Sequence, residues 1–113
     1  MNSKGIESER LAADYLQQQG LILLSSNYSC RFGEIDLVMR EGKTLVFVEV
    51  RQRSTNQFGG AAMSITHAKQ KKISLTAQSY LQKHGDSACR FDVVLIDGKR
   101  HIEWVRNAFE AAA

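Results

Sequence analysis

The chain has 113 residues, of which 43% are hydrophobic and 24% charged, and it carries a formal net charge of +3 with a pI near 9.0. A chain of this length is expected to form a single domain over residues 1–113. No apolar run approaches the ~18 residues that a membrane helix needs. The N-terminus lacks the apolar run of a secretory signal, so the sequence predicts a cytoplasmic protein with no membrane partner.

Charge and cysteine content narrow the function only slightly. A net charge of this size is compatible with a polyanionic partner without identifying one. Five basic residues fall within about twenty positions of one another, namely Arg51, Arg53, Lys69, Lys71 and Lys72. Cys30 and Cys89 belong to no CxxC or Cys/His metal pattern, and we expect both thiols to be free.

The first predicted element is a helix over residues 4–19, with Ser3 as its N-cap and Gly20 as its stop. Its predicted apolar stripe consists of Ile6, Ala12, Ala13 and Leu16. Glu9 projects from the middle of this stripe, where an unpartnered carboxylate is costly. Glu9 therefore has a functional partner, or reaches donors or a cation at the edge of the core, or the helix is rotated from this interpretation.

A short strand is predicted over residues 21–24, with residues 25–27 turning out of it. Two strands with alternating patterns follow, over residues 34–39 and 44–53. In the first, the pattern separates Ile35, Leu37 and Met39 from Glu34, Asp36 and Val38. In the second, it separates Val46, Val48 and Val50 from Leu45, Phe47, Glu49 and Arg51.

These two strands are predicted to form a hairpin closed by residues 41–42. In that register Arg40 lies opposite Lys43, and Asp36 lies one diagonal step from Glu49. Cβ atoms of diagonal neighbours are roughly 7 to 8 Å apart, a span that two carboxylates sharing a divalent cation can close. A register shift by one residue would separate the two acids.

The second half of the chain predicts a crossover. Residues 54–65 are a polar, Gly-rich loop that could border a site. A second helix, capped by Thr66, runs to residue 83 or 84 and is followed by a buried strand over residues 90–96. Strand, helix and strand in this order favour parallel pairing. A short edge strand is predicted over residues 101–105, and the Ala-rich tail is expected to fray.

Carboxylates that converge beside a cation suit metal-assisted phosphodiester chemistry, because hard oxygen ligands hold Mg²⁺ or Mn²⁺. Alternating charged and apolar residues are also typical of a half-exposed strand, and spacing alone favours that structural interpretation. Against it, Glu49 and Arg51 share a face with Leu45 and Phe47, so they do not lie on a simple polar side.

The chain resembles a known family through GEIDLV, LVFVEVRQRS, FGG and RFDVV, together with ERLAADYLQQQG in the first helix. It looks like the YraN-like family of small bacterial proteins over nearly its whole length. That family is similar to the PD-(D/E)XK nuclease superfamily, especially the archaeal Holliday junction resolvases. The resemblance implies an α/β fold, a mixed β-sheet flanked by helices with a restriction-endonuclease-like αβββαβ core.

The resemblance also implies roles for individual residues. Asp36 matches the metal-binding aspartate, Glu49 the acid of the E-x-K triplet, and the Val50 carbonyl a further metal ligand. Glu9 matches the first-helix glutamate of the resolvases. Arg51 departs from the pattern, because the superfamily usually has a lysine that orients or deprotonates water, whereas a guanidinium stays protonated and only positions and stabilises charge.

Three hypotheses follow. The first is a nuclease-like protein that acts on DNA, including branched DNA, with Mg²⁺ or Mn²⁺ held at Asp36 and Glu49. The second is a nucleic-acid-binding protein without catalysis, and the third is a salt-bridge network between Arg51 and the acids with a protein partner. RNA stays open as a ligand, and a homodimer would suit a junction-binding protein. The predicted phosphate contacts are Arg31, Arg53, Lys69, Gln70, Lys71 and Lys72.

Overall fold

A computed structural model describes residues 3–53 and 65–111. The elements in chain order are helix α1 (Ser3–Gln18), strands β1 (Ile22–Cys30), β2 (Gly33–Glu41) and β3 (Thr44–Gln52), helix α2 (His67–His84), and strands β4 (Cys89–Ile96) and β5 (Ile102–Phe109). The predicted loop over residues 54–65 lies outside the described residues apart from Ile65, as does the end of the Ala-rich tail.

The five strands form one sheet in the order β1-β2-β3-β4-β5. The β3 and β4 pair is parallel, and the other three pairs are antiparallel. A parallel pair needs a crossover connection, which α2 provides. The predicted mixed sheet with an αβββαβ core is therefore confirmed, and β5 is added at its edge.

Each helix covers one face of the sheet. On the α1 face, the core comprises Ala12, Ala13, Leu16, Leu21, Leu37, Met39, Val46, Val48, Val94 and Ile96. On the α2 face, it comprises Ile35, Val38, Leu45, Phe47, Ile65, Ile73, Ala77, Tyr80, Phe91, Val93 and Leu95. The valines of β3 and its Leu45 and Phe47 thus lie on opposite faces, as their alternation predicts.

The helices match their predicted spans closely. In α2, Thr66 accepts a hydrogen bond from the Lys69 backbone N–H at 3.1 Å, which confirms the predicted cap. In α1, Ala12, Ala13 and Leu16 are buried, but Ile6 is 55% exposed, so its place in the apolar stripe was wrong. Ile6 lies in the first turns of α1, before the residues that pack on the sheet.

Strands β1 and β5 are longer than the sequence predicts. Residues 25–27 do not turn out of β1, because pairing with β2 continues to Cys30 opposite Gly33. The strand accommodates them through an irregularity between Leu23 and Ser25, and through a left-handed Asn27 with φ of 54°. Short polar residues such as asparagine tolerate this conformation, which makes a bulged strand look like a turn in the sequence.

The predicted hairpin register was also wrong. Glu41 pairs with Thr44, so the loop consists of Gly42 and Lys43, and Arg40 lies opposite Leu45. Gly42 has φ of 60°, which suits the first central position of a type II′ turn and explains why the loop starts there. The error amounts to two residues across the pair, so Asp36 and Glu49 keep a common side. With Leu37 opposite Val48, they become the next facing pair.

Strand β2 changes face at Asp36. Ile35 packs in the core on the α2 face and Leu37 in the core on the α1 face, although a regular strand would place both on one side. The predicted common face for Ile35, Leu37 and Met39 was therefore wrong. Asn27 lies between Ser26 and Tyr28, which pair with Leu37 and Ile35, so its left-handed backbone faces this break.

Neither of the described helices is long and apolar enough to cross a membrane. Both cysteines are free thiols, as predicted.

Candidate metal centre

A cleft of about 320 Å³ opens where β2 changes face. It is lined by residues from α1, β2, β3 and the first turn of α2, namely Gly5, Ser8, Glu9, Asp36, Glu49, Val50, Arg51, Gln52 and Lys69. The structure thus brings together all the predicted catalytic and metal-binding residues, Glu9, Asp36, Glu49, Val50 and Arg51.

The two central acids each bind the backbone of the opposite strand. The Val50 backbone N–H donates to Asp36 Oδ2 at 2.8 Å, and the Asp36 backbone N–H donates to the Glu49 carboxylate. These bonds stand beyond Leu37 and Val48, the last pair of the β2–β3 ladder at this end. The side chains therefore replace the ladder as the strands separate, and they hold both carboxylates at the mouth of the opening.

Burial and mutual repulsion make the ionised pair unfavourable. Glu49 is only 4% exposed. Its burial, together with the charge of Asp36, raises the pKa of Glu49 to about 7. Burial also raises the pKa of Asp36, against the opposing effects of the Val50 N–H and the charges of Lys69 and Arg51. A positive charge placed between the two acids would relieve this cost.

Lys69 supplies one positive charge from the first turn of α2. Its Nζ lies 3.5 Å from Glu49 Oε2, and its charge lowers the pKa of Glu49 against the effect of burial. Arg51 lines the same cleft but forms no ion pair with either acid among the described residues. The ion pair in the cleft is thus between Lys69 and Glu49, and not the network between Arg51 and the acids of the third hypothesis.

Glu9 stands at the side of the pair without joining it closely. It is half-buried, and burial followed by the charge of Asp36 raises its pKa. The Asn27 side chain forms a hydrogen bond with the Glu9 carboxylate, which opposes that shift. Within residues 3–53 and 65–111, no three His, Cys, Asp or Glu side chains converge closely enough to hold a metal ion. Glu9 is thus a neighbour of the acid pair and not a third ligand in this arrangement.

The donor set fits a small hard cation. Mg²⁺ is usually bound through one or two carboxylates and keeps several waters or phosphate oxygens as its other ligands. Asp36 and Glu49 supply two carboxylates, and Asp36 retains Oδ1 beside the bond that its Oδ2 accepts. With its remaining positions open to a substrate, such a site needs no third protein carboxylate.

The predicted phosphate contacts divide between several places. Lys69 lies in the cleft, and Lys71 and Lys72 are exposed on α2. Gln70 donates its Nε2 to the Ile65 carbonyl at 3.0 Å, so its amide is bound to the segment before α2. Arg53 forms an ion pair with Glu103 at 2.6 Å beside a neighbouring cleft. Arg31 lies at the β1–β2 turn, in a separate groove.

Two contacts in the cleft were not predicted from the sequence. Lys69 was assigned to phosphate binding, and its pairing with Glu49 is a contact across the crossover that no spacing reveals. Asn27 was assigned to a turn, whereas the structure places its side chain against Glu9. The sequence feature that could have indicated this position is the asparagine itself, because asparagine tolerates a left-handed backbone and here lies within an otherwise strand-like run.

Comparison with known proteins places the chain in a family. The sequence profile of the uncharacterised protein family UPF0102 matches residues 8–96. A UPF0102 protein of Nitrosomonas europaea is 61% identical over 111 residues, which cover 96% of this chain and 94% of that protein. A UPF0102 protein of Methylobacillus flagellatus is 53% identical over 113 residues, covering 98% of this chain and 100% of that protein. The chain therefore belongs to the UPF0102 family, the YraN-like group of PD-(D/E)XK nuclease-like proteins.

Proposed function

We propose that this protein is a divalent-metal-dependent nuclease that hydrolyses phosphodiester bonds in DNA, including branched DNA. The observation that carries the proposal is the acid pair. Asp36 accepts a hydrogen bond from the Val50 N–H and Glu49 accepts one from the Asp36 N–H, so both acids are held at one opening of the sheet, with an ammonium group 3.5 Å from Glu49. Buried carboxylates with raised pKa values in a cleft are typical of functional sites.

Each residue of the cleft has a distinct role in this proposal. Asp36 and Glu49, with the Val50 carbonyl, hold Mg²⁺ or Mn²⁺. When bound, the cation supplies positive charge to the phosphate and acidifies water. Lys69 and Arg51 stabilise negative charge on the phosphate oxygens, and Glu9 accepts a hydrogen bond from water at the edge of the cleft. Lys69 thereby supplies an amine in the cleft of a chain that has Arg51 in place of the lysine of the E-x-K pattern.

Cleavage assays test the proposal directly. Supercoiled, linear and four-way-junction DNA would be incubated with the purified protein and Mg²⁺ or Mn²⁺. We expect cleavage by the wild type, and a loss of about 100-fold or more for Asp36→Asn and for Glu49→Gln, since each removes charge at the reacting centre. Both substitutions keep an oxygen that can accept the backbone hydrogen bond. Cleavage that persists unchanged in both variants would reject the site.

Replacing Lys69 by Gln is expected to reduce the cleavage rate about 100-fold, which is the usual effect of removing one preorganised hydrogen-bond donor from a reacting centre. Lys71→Gln is the matched control, because Lys71 lies on the same turn of α2 and is exposed. The rate constants of both variants would be measured under single-turnover conditions with saturating protein. Equal losses in the two variants would assign Lys69 to general phosphate attraction and remove its specific role.

A second candidate function is DNA or RNA binding without turnover. Arg51 favours it, because a guanidinium does not take up a proton from water. The two candidates differ in the same assays. Tight, salt-sensitive binding with no product in Mg²⁺ or Mn²⁺ would support the binding protein, and product that requires Asp36 and Glu49 would support the nuclease.

A further inference from the structure

A second groove lies on the α2 side of the molecule, apart from the acid pair. It has a volume of about 480 Å³ and lies between the β1–β2 turn and α2. Its lining includes Arg31, Phe32, Gln78, Ser79, Gln82 and Lys83. These residues provide two cations, two amides and a hydroxyl, and no aspartate or glutamate. This composition is complementary to an anionic ligand with hydrogen-bonding oxygens.

This groove and the carboxylate cleft lie along the same side of α2. Residues three and four apart share a helix face, and this stripe consists of Lys69, Lys72, Thr76, Ser79 and Lys83, of which Thr76 is buried. At its first end Lys69 contacts Glu49. At its last end the Lys83 Nζ lies 5.8 Å from the centre of the Tyr28 ring, and Ser79 shares a hydrogen bond with the Tyr28 hydroxyl at 2.9 Å.

The β1–β2 turn lies directly against the middle of this stripe. A Cβ atom built on Gly33 would stand 3.7 Å from Thr76 Oγ1 and 3.9 Å from Lys72 Cβ. This close approach holds Arg31 and Phe32 beside the second half of α2. The Arg31 guanidinium lies 4.8 Å from the centre of the Phe32 ring, so a cation and a half-buried aromatic ring occur together in the groove.

The cations of the groove are available to a ligand. Four other arginines of the described chain have carboxylate partners, namely Arg53, Arg90, Arg100 and Arg106. Arg31 and Lys83 are exposed, and neither has a carboxylate within 4.0 Å among residues 3–53 and 65–111. Because neither side chain is in an ion pair with the described protein, binding a phosphate breaks no such pair and costs mainly side-chain conformational entropy.

We propose that the groove at Arg31 and Lys83 is a second phosphate-binding site, which holds the DNA strand whose scissile phosphate lies at Asp36 and Glu49. This inference rests on the proposed function and adds the path of the substrate. Fourteen residues separate Lys69 from Lys83, which corresponds to about 21 Å along a helix. At about 3.4 Å of axial rise per base pair, this distance spans roughly six base pairs of a duplex. Phe32 offers a ring on which a base can stack.

Equilibrium binding of DNA without metal tests the groove independently of catalysis. The probe is a fluorescein-labelled DNA of about 20 nucleotides, longer than the estimated spacing, measured by anisotropy in EDTA over a series of salt concentrations. The double variant Arg31→Gln and Lys83→Gln is expected to bind about tenfold more weakly. Its slope of log K against log salt is expected to fall by about 1.4 to 1.8, because two phosphate contacts are lost.

The matched control is the double variant Arg40→Gln and Lys43→Gln. It removes the same charge from exposed residues at the opposite end of β2. We expect this control to bind DNA like the wild type. Equal losses of affinity in the two double variants would overturn the groove, since net charge alone would then explain binding.

The two cysteines allow a second measurement on the unaltered protein. Cys30 lines the groove, whereas Cys89 is exposed at the start of β4. Bound DNA is expected to slow alkylation of Cys30 by iodoacetamide and to leave Cys89 unchanged, as read by peptide mass spectrometry. A Cys30 alkylation rate that DNA does not alter would overturn the proposal.

Failure of the groove and failure of the proposed function give different results. If cleavage depends on Asp36 and Glu49 while the Arg31 and Lys83 variant binds DNA like the wild type, only the groove is rejected. If the wild type binds no DNA under any of these conditions, both are rejected.

Discussion

Raising the pH from 5 to 8 in the absence of divalent cations is expected to lower the free energy of unfolding of the wild type by about 2 to 3 kcal/mol relative to Glu49→Gln. In the folded protein the pKa of Glu49 is about 7, above its ordinary value of 4.5, because burial and the charge of Asp36 disfavour ionisation. Between these values the folded state binds the proton more tightly than the unfolded chain does. The stabilisation that protonated Glu49 gives the folded state is therefore complete below pH 4.5 and is lost as the pH rises through 7.

Denaturant unfolding of both proteins at several pH values measures this difference. Glu110→Gln is a suitable control, because Glu110 is exposed beyond the end of β5 and its removal should leave the pH dependence of the wild type unchanged. A wild type whose stability follows that of Glu49→Gln at every pH would show that Glu49 ionises normally, and would remove the electrostatic argument for a cation.

The same unfolding measurement, repeated with divalent cations, tests whether Asp36 and Glu49 bind a metal ion. Mn²⁺ binds ionised carboxylates, so we expect it to stabilise the wild type more at pH 8 than at pH 5. At 100 times its dissociation constant, a ligand raises the free energy of unfolding by about 2.7 kcal/mol. Glu49→Gln should lose most of this effect, and it should do so in a measurement that involves no cleavage.

Substitution of Asp92 by Ala is expected to destabilise the fold by about 3 to 5 kcal/mol, the usual cost of removing one partner from a buried ion pair. Asp92 is completely buried in β4. It accepts hydrogen bonds from Arg90 Nε at 3.0 and 3.2 Å, from Trp104 Nε1 at 2.9 Å and from the Asn107 N–H at 2.9 Å. Its loss leaves all of these donors without their acceptor.

Glu41→Ala is the matched control for Asp92, because Glu41 also binds Arg90, at 2.8 Å, but is only partly buried. We expect it to cost about 1 kcal/mol. Urea unfolding monitored by circular dichroism measures both variants. Equal costs would mean that the buried network at Asp92 contributes no more than a surface ion pair.

The sequence predicts the fold well because hydrophobic periodicity follows local geometry. The spacing of Ile73, Ala77 and Tyr80 in the sequence indicates the buried face of α2, and the alternating valines of β3 indicate the face beneath α1. The common side of Asp36 and Glu49 was predicted despite a wrong turn, because a two-residue error in pairing preserves the side on which each residue lies.

What the sequence missed depends on contacts between distant elements. The bond from Tyr28 to Ser79 and the pair of Lys69 with Glu49 join segments far apart in the chain, so no periodic pattern encodes them. The change of face at Asp36 has a similar cause. It depends on a left-handed Asn27 on the neighbouring strand, and an asparagine within a polar run predicts a turn at least as well as a bulge.

The backbone hydrogen bonds that Asp36 and Glu49 accept give both acids a role in folding, separate from the metal binding proposed for them. Each carboxylate accepts a hydrogen bond from a backbone N–H that would otherwise be unpaired where the strands separate. A folded sheet thus requires an acceptor at both positions, whether or not the protein turns over a substrate. The proposed chemical role of the pair is tested by the difference between an acid and its amide, since the amide keeps the acceptor and removes the charge.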